Sequence, residues 1–235
     1  MYKIGLIVDK LRVDTNDKEV LEAEEQRNTT ADEIEKVLLE EYEVLRIVSD
    51  KGLIENLKKS NLDMVFNLST GLRGESRQSQ VPAIMEMTGI PYVGSGVLGH
   101  AIALNKAIAK KLFRYHSIPT ATFQTFYRGD EKLDSRLKFP MIVKPACEGS
   151  GFGIYKDSLV YDKKSLFLKV SKLLKKYQPP ALVEEYLDGR EFTVGVIGNG
   201  GDKTILPIIE IDFKDVTNEY DKFNTFESKH GLGGQ

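Results

Sequence analysis

The stretch FPMIVKPACEGSGFG, residues 139–153, decides how the rest of the chain is read. Residues 140–145 form a short apolar run that reads as a strand, and Lys144 closes it just before Pro145. Burying an ammonium is costly unless an anion meets it. Two readings of Lys144 are open: it meets an anion, or it snorkels from the strand end to water. The residues that follow favour the first. Glu148, Gly149, Ser150, Gly151 and Gly153 make a short Gly/Ser loop. Glycines let backbone N–H groups approach an anion closely, and the Ser150 hydroxyl adds a donor. A plain hairpin turn uses the same residue types. A Gly-rich loop a few residues after a strand-terminal lysine nonetheless points to phosphate. It is not a Walker loop, because no GK[ST] opens a helix here.

Moving outward, LVEEYLDGREFTV (182–194) is a strand ending in Glu184 and Glu185, a short linker, and a restart at Glu191. Such a linker offers backbone donors and acceptors to a planar base, and a carboxylate such as Glu191 can hold two ribose hydroxyls. The alternative is a surface linker whose acids, Glu185 above all, meet water. Upstream, ALNKAIAKK (103–111) supplies further cations on a helix. Any of these lysines can be a solvated helix face. Lys106 is the best candidate, near the helix start and beside an expected domain junction.

The first half alternates strand and helix signals. Residues 2–8, 43–48 and 64–68 read as strands. Thr30 followed by Glu33 has capping-box spacing and opens a helix to about Glu41. Leu53, Ile54 and Leu57 share a helical face, and residues 81–88 form a helix stopped by Gly89. This βαβαβ order predicts a parallel sheet covered by helices, with ligands at the carboxyl ends of its strands. The loop 69–77 lies at such an end and is a candidate substrate edge. Residues 9–29 are polar and poorly periodic and read as a long loop.

Residues 96–115 read as one helix, with Ile102, Leu104, Ile108 and Leu112 at helix period and Pro119 ending it. Beyond it, residues 122–127, 140–145, 153–160 and 181–185 read as strands. Residues 163–177 read as an amphipathic helix burying Leu166, Val170, Leu173, Leu174 and Tyr177. Residues 191–198 and 204–211 are two strands around the turn Asn199, Gly200, Gly201. This half is α+β. Boundaries fall near Gly99 and Asp188, and the Gly-rich residues 231–235 have no anchor.

Composition excludes several classes. The 235 residues are 41% hydrophobic and 29% charged, enough for a sizeable core. With 33 Lys and Arg against 35 Asp and Glu, the formal net charge is −2, which argues against a protein built to hold nucleic acid or an anionic membrane. Cys147 stands alone, so no internal disulfide framework forms. His100, His116 and His230 are scattered, which argues against a zinc site. No apolar run approaches a membrane span. The expectation is a soluble, cytoplasmic protein.

Taken together these motifs resemble the ATP-grasp superfamily, and within it the D-alanine–D-alanine ligase family. VFNLSTGLRGE (65–75) looks like that family's first-domain loop. GIPYVGSG (89–96) followed by Ala103 to Lys106 looks like its interdomain signature. Val143-Lys144-Pro145, the 148–150 loop and residues 183–194 complete a collinear series from about Asp63 to Glu210.

The resemblance implies an ATP-grasp fold in three parts. These are a Rossmann-like α/β domain over 1–99, a central α+β lobe over 100–187, and the start of a C-terminal lobe over 188–235. It implies ATP and Mg2+ as cofactors and small amino acids as substrates, in cell-wall peptidoglycan synthesis, and it leaves a homodimer open. Lys106 and Lys144 would contact ATP phosphates, and the loop Glu148, Gly149, Ser150, Gly151, Gly153 would cover them. Ser150 would also order the substrate site. Glu184, Glu185, Tyr186 and Leu187 would hold adenine, and Glu191 the ribose. FESKH (226–230) looks like the family's Glu-Ala-Lys-Tyr stretch, which makes Lys229 a further phosphate or substrate contact.

The chain departs from the pattern in places. His230 replaces a tyrosine, and Thr70 stands where a histidine is usual. The family's Gly-Gly-x-Ser-x-Glu loop, whose glutamate takes the first amino acid's ammonium, gives way to DKLRVD (9–14), with Glu24 or Glu25 as substitutes. The family's transition-state arginine and magnesium ligands are expected beyond Gln235, so the chain reads as a divergent member cut short. The activity implied is ATP-dependent carboxylate–amine ligation through an acyl phosphate, with the nucleotide held between lobes. The alternatives are an ATP-binding protein without ligase activity and a ligase for other amino acids or peptides.

Overall fold

A computed structural model describes residues 1–9, 18–177, 180–213, 223, 225 and 226. The chain divides into two compact units, one of residues 1–120 with 146–152, the other of residues 121–145 with 153–235.

The first unit is built on β1 (Lys3–Asp9), α1 (Lys18–Leu38), β2 (Glu43–Ser49), α2 (Leu53–Ser60), β3 (Met64–Asn67), α3 (Gln80–Thr88), β4 (Tyr92–Val93), α4 (Val97–Leu104) and α5 (Lys106–Tyr115). Its four strands pair in parallel in the order β2-β1-β3-β4. β1 is buried on both faces, as a central parallel strand must be. Its alternating side chains feed two clusters. Leu6 and Val8 pack with Ala31 and Ile34 of α1, while Ile7 packs with Leu53 and Leu57 of α2 and Val81 and Met85 of α3. The chain leaves β1 toward β2 and then crosses to β3, so the switch of direction lies between β1 and β3. Ligand crevices form at such a point, outside the carboxyl ends of the strands. Here those ends carry Asp9, Ser69 and Thr70.

Two expectations for this unit are corrected. Helix α1 begins at Lys18, so residues 18–29 are helical rather than loop; residues 10–17 lie outside the described part. Thr30 is no cap. Its hydroxyl donates to the Gln26 carbonyl, 3.0 Å away, as an interior helical threonine does. The helix expected over 96–115 is two, broken at Asn105. The Asn105 side chain accepts from the Ile108 amide at 3.1 Å and restarts the chain as α5. On α5 the buried residues are Ala107 and Lys110, while Ile108 and Leu112 stand exposed.

The second unit contains β5 (Phe123–Phe126), β6 (Met141–Pro145), β7 (Leu159–Val160), α6 (Lys163–Tyr177), β8 (Ala181–Glu185), β9 (Glu191–Thr193), β10 (Val196–Asn199), β11 (Asp202–Ile205) and β12 (Ile209–Ile211). A four-stranded antiparallel sheet, order β5-β8-β6-β7, packs one face on α6. That face carries Phe126, Met141, Val143, Ala181 and Val183 against Leu166, Val170 and Leu173. Leu174 and Tyr177 pack partly buried beside them. Helix α6 spans the residues that the sequence periodicity predicts.

The strand expected over 153–160 is mostly turn, a 3-10 turn over Lys156–Ser158 leading into the two-residue β7. The Tyr155 amide donates to Ser158 Oγ and that hydroxyl donates to the Gly153 carbonyl, so side-chain bonds replace a ladder. The two long strands expected after Glu191 are each divided. β10 and β11 close a hairpin around Gly200 and Gly201, and β9 pairs separately with β12.

Candidate functional site

In the second unit the sheet's alternation places Lys144. In an antiparallel pair, residues directly opposite share a face. Ile142 stands opposite Glu184 and Lys144 opposite Leu182, so Lys144 and Glu184 are diagonal neighbours on the face away from α6. Their side chains form an ion pair and are 19% and 10% exposed. Phe123, opposite Glu184 on β5, shares that face and is buried. A lysine that closes an apolar strand has thus found an anion, the neighbouring strand's carboxylate. A largely desolvated ammonium–carboxylate pair beside an apolar ring is a polar foothold that a planar ligand with phosphates can use.

The linker after β8 is anchored by its backbone. The Glu185 amide donates to the Thr122 carbonyl at 3.0 Å, and the Tyr186 amide to the Pro140 carbonyl at 3.1 Å. The Tyr186 ring meets Phe223 edge-on, with centroids 5.9 Å apart. Burial, then the charges of Asp188 and Glu191, push the Tyr186 hydroxyl above the usual phenol range, so it stays protonated. Leu187 is exposed, and Glu191 lies on β9 opposite Ile211.

Gly153 begins the return from the loop. Its φ is +77°, and a Cβ there would stand 2.6 Å from the Pro145 ring. Only glycine fits. Phe226 is buried and its amide donates to the Ile154 carbonyl at 2.8 Å. Lys229 and His230 lie outside the described residues.

In the first unit, residues 146–152 are held by two cations from distant parts of the chain. The Lys106 amide donates to the Ala146 carbonyl at 3.0 Å, and Lys106 Nζ donates to the Glu148 carbonyl. Arg77 Nη1 donates to the Cys147 carbonyl at 3.0 Å, and its Nη2 donates to Glu148 Oε2 at 2.8 Å. The loop then turns. The Phe152 amide donates to the Gly149 carbonyl at 3.0 Å, and Ser150 and Gly151 between them have φ of 51° and 80°. Positive φ at both central residues is the type I′ pattern. Ser150 stands exposed at its tip.

The Cys147 thiol is buried. Burial, then Glu75, push it above the usual thiol range despite Lys106 and Arg77, so it is inert as a nucleophile. Arg77 ends the loop 69–77 that the sequence marks as a candidate substrate edge, but no role of its own is read for it there. Its partner lies 71 positions away, and no local pattern announces it.

At the crevice between β1 and β3, Asp9 is saturated. It accepts from Ser69 Oγ at 2.6 Å, from Thr70 Oγ1 at 2.6 Å and from the Thr70 amide at 3.0 Å, with Arg27 Nη1 at 3.4 Å. Glu24 is buried and sits 3.6 Å from Arg27. Among the described residues no group of three or more His, Cys, Asp or Glu could hold a metal ion. No described helix is long and apolar enough to cross a membrane.

A helix-covered parallel sheet in one unit, with antiparallel strands and a Gly-rich loop after a strand-terminal lysine, defines the ATP-grasp class. Solved structures agree. The chain is similar to D-alanine–D-alanine ligase from Bacillus anthracis complexed with ATP, with TM-score 0.70 and 28% identity over 90% of this chain and 66% of that one. It shares the fold of D-alanyl-alanine synthetase A from Vibrio cholerae, with TM-score 0.65 at 19% identity, covering 98% and 77% of the two chains.

The family profile described as D-ala D-ala ligase C-terminus matches residues 112–231. The chain belongs to the D-alanine–D-alanine ligase family. It is 34% identical to a D-alanine–D-alanine ligase of Carboxydothermus hydrogenoformans, over 87% of this chain and 64% of that one. It is 40% identical to the uncharacterized protein y4sG of Sinorhizobium fredii, over 73% of this chain and 52% of that one. The chain thus spans between half and two thirds of the length of these two relatives.

Proposed function

We propose that the chain acts in ATP-dependent carboxylate–amine ligation. A carboxylate is a poor electrophile. Its phosphorylation to an acyl phosphate supplies a leaving group, which the amine of a second substrate displaces. The observation that carries this reading is the Lys144–Glu184 pair on the face of β6 and β8 away from α6, with Lys144 just before the Gly-rich loop in sequence.

Lys144 and Lys106 bind the nucleotide's phosphates, and the amides of residues 148–151 with Ser150 cover them. Glu184 and the backbone of residues 185–187 hold adenine, and Glu191 the ribose hydroxyls. Lys229 is assigned a further phosphate or substrate contact by its motif alone. Magnesium, when bound, would neutralise phosphoryl charge; no cluster among the described residues supplies its ligands. The division at Gly99 and Asp188, a cytoplasmic setting and a place in cell-wall precursor synthesis belong to the same proposal. Support comes from the family membership and from the ATP complex of the Bacillus anthracis relative.

The test is ATP binding by calorimetry, with phosphate release and dipeptide formation in the presence of magnesium and D-alanine. Binding is expected, and Lys144→Ala is expected to weaken it at least about tenfold, the loss of one charge-assisted contact. Unchanged affinity in that variant removes Lys144 from the site. Binding with no phosphate released under any amino-acid mixture favours a nucleotide-binding role without ligation.

One observation favours a second reading, a ligase for other amino acids or peptides. Asp9, the acid at the end of β1, is fully engaged by Ser69, Thr70 and Arg27. An acid so engaged is a poor acceptor for a substrate ammonium, and with the family's glutamate loop replaced in this sequence the first amino acid needs another partner. Screening amino acids for stimulated ATP cleavage decides. Stimulation by D-alanine alone removes this second reading.

A further inference from the structure

We propose that Arg77 is a positioning residue that sets the direction of the backbone amides in the 146–151 loop. The inference rests on the nucleotide reading above and assigns a role to a residue outside the motifs that carry that reading. Three successive carbonyls of the loop are each pinned by a donor of the first unit. Lys106 N takes Ala146 O at 3.0 Å, Arg77 Nη1 takes Cys147 O at 3.0 Å, and Lys106 Nζ takes Glu148 O. In a trans peptide the C=O and the following N–H point in opposite directions. Each carbonyl so pinned turns the N–H that follows it, of residues 147–149, away from its donor. Successive amides turned away from the protein's own donors are what a polyphosphate accepts.

Arg77 is suited to the task. It is 7% exposed, and its rigid fork takes a main-chain and a side-chain acceptor from successive residues, Cys147 O and Glu148 Oε2. Its Nε is buried without a hydrogen-bond partner among the described residues. A buried donor left unmade is costly, and it is retained where the remaining nitrogens hold something the fold needs in place. When Lys106 Nζ turns to a phosphate it releases the Glu148 carbonyl, and the Arg77 fork still holds the loop.

The test uses the whole chain and the variants Arg77→Lys and Glu148→Gln. Arg77→Lys keeps the charge but cannot bridge both acceptors. Glu148→Gln changes a partly exposed loop residue and leaves the core alone. The first readout needs no nucleotide. Amide hydrogen exchange of residues 146–152 is expected to quicken about tenfold in Arg77→Lys, with β1 and β3 still protected. The second is ATP affinity by calorimetry, expected to fall about tenfold in Arg77→Lys and less in Glu148→Gln. The double variant is expected to bind no worse than Arg77→Lys alone, because the two residues act through one contact.

Exchange that rises equally in β1, β3 and the loop overturns the inference in favour of a merely structural role. Wild-type ATP binding with unchanged affinity and loop exchange in Arg77→Lys overturns this inference alone. A wild-type chain that binds no ATP overturns the ligase reading and this inference with it.

Discussion

Lys144 and Glu184 are paired within one sheet, and under the proposed function the same two side chains also meet the nucleotide. Each partly desolvates the other on a shared sheet face. Removing one partner leaves the other's charge uncompensated. Lys144→Met is expected to cost about 2 kcal/mol, below the fully buried range because both groups keep some solvent. Adding Glu184→Leu is expected to recover most of that loss, since replacing both charges with apolar groups is close to neutral. Urea denaturation of the two single variants and the double variant measures it; a double variant no better than Lys144→Met rejects the coupling. This pair was half legible in the sequence. A lysine closing an apolar run signals an anion, but whether the anion is a ligand or a carboxylate on the next strand depends on register. The contacts of Arg77 were not legible, because only the folded chain brings it to residues 147 and 148.

Elements with strong periodicity were read closely from the sequence, and those that depend on a single polar side chain were not. Helix α6 shows the first case: its apolar stripe fixes both its face and its limits. Helix α1 shows the second. Thr30 and Glu33 have the spacing of a capping box, yet the helix passes through them from Lys18. Spacing alone does not separate an N-cap from an interior threonine bonded back to the preceding turn. The two give opposite expectations for Thr30→Ala. Loss of a cap costs about 1 kcal/mol, whereas an exposed interior position gains a few tenths, roughly 0.5 kcal/mol, in helix propensity. The structure predicts an unchanged or slightly raised Tm.

The turn after β5 gives a second expectation at this scale. Glu131 accepts from the amides of Tyr127, Arg128 and Gly129 at 2.7, 2.9 and 2.8 Å. Burial alone would raise its pKa, but the bonds from Arg128, Tyr127, its own amide and Gly129 outweigh burial and bring it down to about 2. A depressed carboxylate stabilises the fold above its unfolded value, about 4.3, and loses that contribution as pH falls toward 2. The stability difference between the wild type and Glu131→Gln should therefore be full at pH 6 and shrink below about pH 4. A difference independent of pH shows that the charge is not what holds the turn.

For the whole molecule, each unit closes its own apolar core. Ile7, Leu57, Val65 and Met85 lie in one, and Phe126, Met141, Leu166 and Val183 in the other. Alternation and helix period made both cores legible. The assignment of residues 146–152 to the first unit was not, because the strands that flank the loop belong to the second. A ligand that binds only the folded chain stabilises it by an amount set by concentration over Kd, independent of which contacts hold the fold. With ATP at about 100 times Kd, the wild type is expected to gain about 2.7 kcal/mol, a rise in Tm of about 5–10 °C. Glu131→Gln, remote from the nucleotide groups named above, should start lower and show the same increment. Lys144→Ala should start lower and show little increment at the same ATP concentration. Those two variants separate loss of stability from loss of binding: equal ATP-dependent shifts in both would mean that Lys144 matters to the fold and not to the nucleotide.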